Sequence, residues 1–171
     1  MSVIETRNLK KTFGSTKALK GIDLDVEKGD IYGFIGPNGA GKTTTIRILL
    51  GILKASEGSA QIFEKDVWKD SVDIHKRIAF VPGDVNLWPN LTGGEVIDLL
   101  IGLNNVVNTE KKQALIERFK LDPTKKCRSY SSGNKQKIVL IAAFAQDADV
   151  YILDEPTSGL DPLMERVFQK T

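Results

Sequence analysis

Residues 36–43 read Gly-Pro-Asn-Gly-Ala-Gly-Lys-Thr and match the pattern G-x-x-x-x-G-K-[ST]. A short apolar run at 31–35 precedes them and predicts a buried strand, and residues 43–50 predict a helix that ends at Gly51. A glycine-rich loop between a strand and a helix directs backbone N–H groups to one point, at the positive end of the helix dipole. The stretch therefore predicts a phosphate-binding loop in an α/β fold.

Two side chains of this loop carry specific chemistry. The Lys42 ammonium is expected to reach the β- and γ-phosphates of a nucleotide, and the Thr43 hydroxyl to ligate Mg²⁺. A chance match to the pattern has a probability on the order of one or two per cent in a chain of this composition. We therefore interpret the loop as a nucleotide site, with Lys42 among the catalytic residues.

A second motif follows a run of four apolar residues at 150–153, where Asp154 and Glu155 stand in sequence. Ligands of parallel α/β sheets lie at the carboxyl ends of the strands. Asp154 is therefore predicted to hold Mg²⁺, and Glu155 to orient or deprotonate the attacking water, a role that phosphoryl transfer requires. A simple surface cap of a strand is the alternative, and the phosphate loop in the same chain argues against it.

In these two motifs and in several further ones, the chain resembles the ATP-binding cassette (ABC) ATPases over nearly its whole length. Tyr-Ser-Ser-Gly-Asn-Lys-Gln-Lys at 130–137 is similar to the family signature, often written L-S-G-G-M-K-Q-R, and Ser-Gly-Leu-Asp at 158–161 matches the D-loop. The matching signature positions are Ser131, Gly133, Lys135 and Gln136, and the departures are Tyr130, Ser132 and Asn134.

The resemblance implies ATP and Mg²⁺ as ligands. It also implies that Phe13 stacks on adenine, and that Ser131 and Gly133 form a second anion site facing the γ-phosphate held by another subunit of a head-to-tail dimer. The residues expected to bind the nucleotide are Phe13, Gly36, Pro37, Asn38, Gly39, Ala40, Gly41, Lys42, Thr43, Thr44, Ser131 and Gly133, and those expected to bind the metal are Thr43 and Asp154.

The expected fold is α/β, a P-loop NTPase core with a mostly parallel sheet, N-terminal antiparallel β strands and an inserted helical subdomain. Apolar residues alternate with aspartates at 22–26, residues 78–81 predict a further short strand, and apolar residues of 96–103 share one helix face. The predicted layout is a single domain, 1–171, with its core at 1–89 and 146–171 and a helical insert at approximately 90–145.

Two departures from the family pattern affect the expected activity. Gly83, followed by Asp84, stands where the family has the Q-loop glutamine, which helps to hold Mg²⁺ and links the site to the membrane half of a transporter. The family also continues past the D-loop with further strands and a switch histidine, for which His75 is misplaced. We therefore expect a C-terminally truncated domain that hydrolyses ATP poorly by itself.

Composition narrows the remaining possibilities. The net charge of +2, from 24 basic and 22 acidic residues, gives no electrostatic argument for nucleic acid. The single cysteine, Cys127, excludes an intrachain disulfide and a thiolate metal site. No apolar run approaches the ~20 residues that span a membrane.

The leading hypothesis is the ATP-hydrolysing motor subunit of an ABC transporter, of the exporter type. Its expected partners are ATP, a second copy or a second cassette subunit, and a transmembrane permease subunit, without nucleic acid. Its expected location is cytoplasmic, peripheral at the inner face of the cell membrane through that permease. Trp88 lies where the family docks the coupling helix of the membrane domain, although ordinary packing under a loop explains it equally well.

Two other hypotheses remain at this point. One is an ABC ATPase that acts on the ribosome or on DNA, and the other is a truncated nucleotide-binding module with little or no ATPase activity. The 52 residues between Asp84 and Lys137 are too few for a long coiled-coil insertion, which argues against the first of these.

Overall fold

A computed structural model describes residues 2–37, 39–103 and 108–171. These residues divide into two compact units, Met1–Lys76 (unit 1) and Arg77–Thr171 (unit 2). Asn38, predicted to bind the nucleotide, lies outside the described residues, as do residues 104–107. The predicted boundaries of the core and the helical insert stay a prediction.

Unit 1 is built on an antiparallel sheet of strand order β2-β1-β3-β4. Its elements in chain order are β1 (Ser2–Phe13), β2 (Thr16–Glu27), α1 (Lys42–Leu49), β3 (Glu57–Ile62), β4 (Lys65–Asp66) and α2 (Ser71–His75). Leu9, Leu24 and Ile62 of the sheet are buried, as are Ile46 and Ile48 of α1, which contacts β2 and β3. The alternation of apolar and polar residues at 22–26 is therefore that of a strand with one buried face.

The strand predicted at 31–35 is wrong. These residues form neither helix nor strand, and Ile31 and Ile35 are 103% and 95% exposed. A parallel strand needs hydrogen-bonded neighbours on its flanks, and within the described residues β1–β4 pair among themselves while the strands of unit 2 pair with each other. An apolar run shows that a segment can be buried, but it does not show which other strand would pair with it.

Unit 2 combines a parallel strand pair with four helices in its described part. Its elements are β5 (Ile78–Val81), α3 (Gly93–Gly102), α4 (Thr109–Arg118), a 3₁₀ turn (Cys127–Ser129), α5 (Ser132–Phe144), β6 (Val150–Leu153) and α6 (Pro162–Gln169). β5 and β6 pair in parallel register from Ile78↔Val150 to Val81↔Leu153. Both strands match the sequence prediction.

Helix α5 forms the centre of the core of unit 2. Its residues from Ile138 to Ala143 are all buried, and α3, α4 and β5 pack against it. Val96, Ile97 and Ile101 of α3 and the Phe119 ring are completely buried in the same cluster. A helix that is apolar on every side can be stable only when it is surrounded, and α5 meets that condition.

The predicted α/β class is confirmed, with antiparallel N-terminal strands and a parallel strand pair. Helices cover the predicted segments at 43–50 and 96–103, with ends that differ by a few residues. No helix in the described part of the chain is long and apolar enough to cross a membrane.

The start of α3 gives a test of local stability. The Thr92 hydroxyl accepts a hydrogen bond from the Glu95 N–H at 3.2 Å, and the Glu95 carboxylate accepts one from the Thr92 N–H at 2.7 Å. The second bond holds the pKa of Glu95 below its usual range. Two N–H groups that the helix leaves without carbonyl partners are thereby satisfied.

We expect Thr92→Ala to lower the free energy of unfolding by ~1 kcal/mol, because the N-cap acceptor is lost. Urea unfolding followed by circular dichroism measures this change. Thr109→Ala is the matched control, since Thr109 is the first residue of α4 and Asn108 caps that helix. Equal stability of the two variants would contradict the assignment of the cap.

Candidate functional site

The phosphate loop leads into α1, whose first residue is Lys42. The Lys42 ammonium donates hydrogen bonds to the carbonyl oxygens of Gly36 at 2.6 Å and Pro37 at 3.0 Å. These two bonds fold the side chain back over its own loop and hold a positive charge beside the N-terminus of the helix. The arrangement suits an anion with several oxygens, because charge and helix dipole act at the same place.

Gly41 shows why the loop requires glycine. Its φ of +90° lies in the left-handed region, and a Cβ there would come within 2.3 Å of the Leu19 Cδ2 atom and 2.9 Å of the Ala18 carbonyl oxygen. Both neighbours belong to β2. Any side chain at this position would push the loop off the strand on which it rests.

The threonines that follow divide into structural and exposed positions. Thr45 is buried, and its hydroxyl donates to the Gly41 carbonyl at 3.0 Å, which fixes the first turn of α1. Thr43 is exposed and Thr44 half-buried. A hydroxyl and a carboxylate are hard oxygen donors of the kind that Mg²⁺ accepts, and Mg²⁺ commonly takes one or two protein carboxylates with phosphates and water. The Thr43 hydroxyl of unit 1 and the Asp154 carboxylate of unit 2 are therefore each a donor of a type that Mg²⁺ accepts.

Phe13 is the last residue of β1, and its ring is 49% exposed. The Lys11 ammonium lies 5.1 Å from the ring centroid. An aromatic ring held on a strand end with much of its surface open can stack on a planar base. The predicted adenine contact is thus compatible with the position of the side chain.

The carboxylate pair follows β6 directly. The Asp154 N–H donates to the Val81 carbonyl at 2.9 Å, which continues the parallel ladder by one residue beyond the strand. Glu155 then takes a φ of +47°, and its carbonyl accepts the Ser158 N–H at 3.0 Å. A residue with a Cβ adopts this conformation rarely, and such positions cluster at functional sites. The turn presents the Glu155 side chain as an exposed group.

The signature residues lie at the start of α5. Ser131 is the N-cap, and its hydroxyl oxygen accepts the Asn134 N–H at 3.3 Å. A capping hydroxyl keeps its own proton for donation. Ser131 is exposed, so this proton and the helix N-terminus are both open to an anion.

Gly133 brings the signature and the D-loop together. A Cβ on Gly133 would come within 2.4 Å of the Gly159 carbonyl oxygen, so the two turns touch through their backbones. Gly83, at the Q-loop position, lies in a similar relation to the carboxylate pair, since a Cβ there would stand 3.1 Å from the Asp154 carbonyl oxygen. Within unit 2, the signature, the D-loop, the carboxylate pair and the Q-loop position are therefore contiguous.

Tyr130, which replaces the usual leucine of the signature, is buried, and its hydroxyl donates to the Asp122 carbonyl. Burial raises the pKa of Tyr130, which keeps the hydroxyl protonated as a donor. Burial likewise raises the pKa of the Cys127 thiol. The Tyr130 ring packs against Gly93, the first residue of α3. The substitution thus keeps the apolar body of a leucine and adds one hydrogen bond.

Gln136 matches the family signature, and the structure shows what its side chain contacts. Its side chain is only 2% exposed, and its Nε2 donates to the Pro156 carbonyl at 3.0 Å. The sequence carries one sign of this contact, an uncharged polar residue at the start of the apolar face that begins at Ile138.

A groove of about 350 Å³ lies on unit 2 between the end of β5 and the helices α3 and α5. Its lining includes Phe80, Leu87, Leu100 and Val139, with the Trp88 ring 52% exposed. Asp84 also lines the groove, and its carboxylate accepts the Asn86 side-chain amide at 3.4 Å. The surface is mainly apolar and carries one acidic group.

Comparisons with known proteins agree with these motifs. The sequence model of the family described as "ABC transporter" matches residues 19–158. The chain is 38% identical over 167 residues to the bacitracin transport ATP-binding protein of Bacillus licheniformis, covering 95% of this chain and 54% of that protein. It is 33% identical over 166 residues to a Nod factor export ATP-binding protein of Cupriavidus pinatubonensis, covering 94% and 51%.

A solved structure described as the ATP-binding subunit of an ABC transporter superposes with a TM-score of 0.90 at 26% identity, covering 99% of this chain and 72% of that one. The chain spans about half the length of the curated relatives it matches.

We expect Lys42→Ala to weaken MgATP binding by roughly 10- to 100-fold, because a hydrogen bond to a charged group contributes about 1.5–3 kcal/mol. Isothermal titration with MgATP measures the effect. Lys69→Ala, which removes an exposed lysine of the same unit, should bind as the parent does. An unchanged dissociation constant for Lys42→Ala would remove the assignment of the phosphate loop.

Proposed function

Because the chain belongs to the ABC transporter family, we propose that it binds MgATP and hydrolyses it as the motor of a transporter. The observation that carries the proposal is the position of the Lys42 ammonium, folded over its own loop at the N-terminus of α1. The names of the two relatives, one for bacitracin transport and one for Nod factor export, support a role in moving a substrate, and the second name supports the outward direction.

In the proposed reaction, the side chains divide the work of phosphoryl transfer. Lys42 and the loop N–H groups neutralise the phosphates, and Phe13 orients the base. Thr43 and Asp154 hold Mg²⁺, which when bound supplies charge stabilisation at the phosphate oxygens. Glu155 accepts a proton from the attacking water or orients it, since it stands exposed at the end of a strand beside the metal carboxylate.

A second copy of the chain, or a second cassette subunit, completes the site in this proposal. Ser131 caps α5 and keeps a hydroxyl proton for donation, yet within unit 2 this turn contacts the D-loop through Gly133 and Gly159. A helix N-terminus with an exposed hydroxyl is suited to the γ-phosphate bound by the partner. Two nucleotides would then be enclosed between two chains arranged head to tail.

The groove beside β5 is proposed to receive a cytoplasmic segment of the permease subunit. Trp88 exposes half of its surface there, and exposed aromatic residues in apolar clefts are frequent anchors of protein interfaces. Asp84 on the groove wall favours a segment that carries a basic residue. This contact would hold the protein at the inner face of the membrane.

Glu155→Gln tests the catalytic assignment. We expect MgATP affinity to be retained and kcat to fall by at least ~10²-fold, the usual value of a positioned acid or base. An ATP-bound dimer should accumulate, detectable by size-exclusion chromatography, because closure precedes hydrolysis. The exposed Glu110 of α4 provides the control, as Glu110→Gln makes the same chemical change elsewhere. Hydrolysis by Glu155→Gln at the parent rate would exclude Glu155 as the group that acts on water.

Trp88→Ala tests the proposed permease contact. Co-sedimentation with inverted membrane vesicles from the cells that encode the protein should fall about tenfold or more, as expected for the loss of a central aromatic anchor. Trp68→Ala is the matched control, because Trp68 is similarly exposed but lies in unit 1. Equal co-sedimentation of both variants, or equal binding of the parent to protein-free liposomes, would contradict the docking role of the groove.

A further inference from the structure

Gln136 is an unusual residue within the core of unit 2. Among the described residues the buried polar side chains are Thr6, Thr45 and Gln136, and both threonine hydroxyls bond to backbone groups of their own unit. Gln136 likewise bonds to a backbone group of its own unit, and it does so with an amide that reaches from the second turn of α5 to the Pro156 carbonyl, 20 residues further along the chain. Burying an amide is unfavourable unless it is hydrogen-bonded, so this contact accounts for the tolerance of a glutamine here.

The acceptor of this bond belongs to the residue that follows Glu155. Glu155 takes a φ of +47°, which is disfavoured for any residue with a Cβ. Such a conformation persists only where the surroundings hold it from several sides. Three bonds do so here, from the Asp154 N–H to Val81, from the Ser158 N–H to Glu155 itself, and from Gln136 to Pro156.

Of these three bonds, only the one from Gln136 uses a side chain. The ladder bond of Asp154 fixes the turn before Glu155, and the Ser158 bond closes the turn on itself. The Gln136 amide ties the peptide after Glu155 to α5, the most deeply buried helix of the unit. Without this hydrogen bond, the segment beginning at Pro156 would lose one of its contacts with the core.

We propose that Gln136 is a positioning residue for ATP hydrolysis, which holds the Glu155–Pro156 turn so that the Glu155 carboxylate stays aligned with the attacking water. The inference rests on the proposed function, since it requires Glu155 to act on that water. Helix α5, which carries Ser131 at its N-terminus, would then also orient the Glu155 carboxylate of the same chain through Gln136. A displacement of α5 is thereby transmitted to Glu155.

A purely structural role for Gln136 has a different signature. If the amide only stabilised the signature helix, its loss would weaken the contact of Ser131 with a partner's nucleotide, and ATP-dependent dimerisation would fall with activity. If it aligns Glu155, chemistry slows while nucleotide binding and dimerisation remain. A fall in kcat with unchanged KM and an unchanged dimerisation constant therefore indicates the positioning role, whereas a fall in kcat together with weaker dimerisation indicates the structural role.

Gln136→Met keeps the length of the side chain and removes the donor, and it should lower kcat by ~10- to 100-fold, because small displacements of catalytic groups have effects of this size. The KM for MgATP and the ATP-induced dimerisation constant should stay within about twofold of the parent. Gln113→Met, on the exposed face of α4, is the matched control and should leave all three quantities unchanged. An unchanged kcat in Gln136→Met, or a parallel loss of dimerisation, would overturn the proposal.

Two further measurements keep the test decisive. In a Glu155→Gln background, adding Gln136→Met should cause no additional loss of rate, since a residue that acts through Glu155 has nothing left to align. Where Gln136→Met fails to fold, Gln136→Asn replaces it, because it keeps an uncharged amide but is one methylene shorter, so its nitrogen is drawn back from the Pro156 carbonyl, and the same loss of kcat is expected. Full activity of Glu155→Gln would refute the proposed role of Glu155, whereas a slow Glu155→Gln beside a normal Gln136→Met would refute only the role of Gln136.

Discussion

The burial of α5 is the constraint on which the arrangement of unit 2 depends. The helix is apolar on every side from Ile138 to Ala143, so it is stable only when α3, α4 and β5 enclose it. Once it is enclosed, its N-terminus is fixed in space, and with it the exposed Ser131. The same burial forces the Gln136 amide to find an acceptor, which it does at Pro156. Helix α5 therefore determines both the packing of the core of unit 2 and the positions of Ser131 and Gln136.

The close contacts of glycine add a second constraint at the surface of this core. Gly133 meets the Gly159 carbonyl, and Gly83 meets the Asp154 carbonyl, at separations that leave little or no room for a Cβ. Backbone thus lies directly against backbone at two points around the carboxylate turn. The signature glycine, Gly133, which the sequence predicts to contact a phosphate, is therefore also required for the packing of the backbone.

Local patterns predicted local structure well. The strands at 78–81 and 150–153 and the helices at 43–50 and 96–103 depend on short-range chemistry, namely apolar runs and the spacing of apolar residues along the chain. The strand expected at 31–35 depends instead on a neighbour distant in sequence, which no local pattern reveals. The Gln136 bond escaped prediction for the same reason, as its acceptor lies 20 residues away. The assigned roles of the site residues, from Phe13 to Glu155, stay predictions.

The chain has two tryptophans, and the fold places one in each unit. Trp68 in unit 1 has the Lys54 ammonium 5.9 Å from its ring, and Trp88 in unit 2 lies half-exposed on the groove. The tryptophan emission of the protein therefore comes from one ring in each unit, and each ring is sensitive to its own surroundings. Replacing either ring by phenylalanine leaves an emission that reports on a single unit, so the unfolding of each unit can be followed optically without an added label.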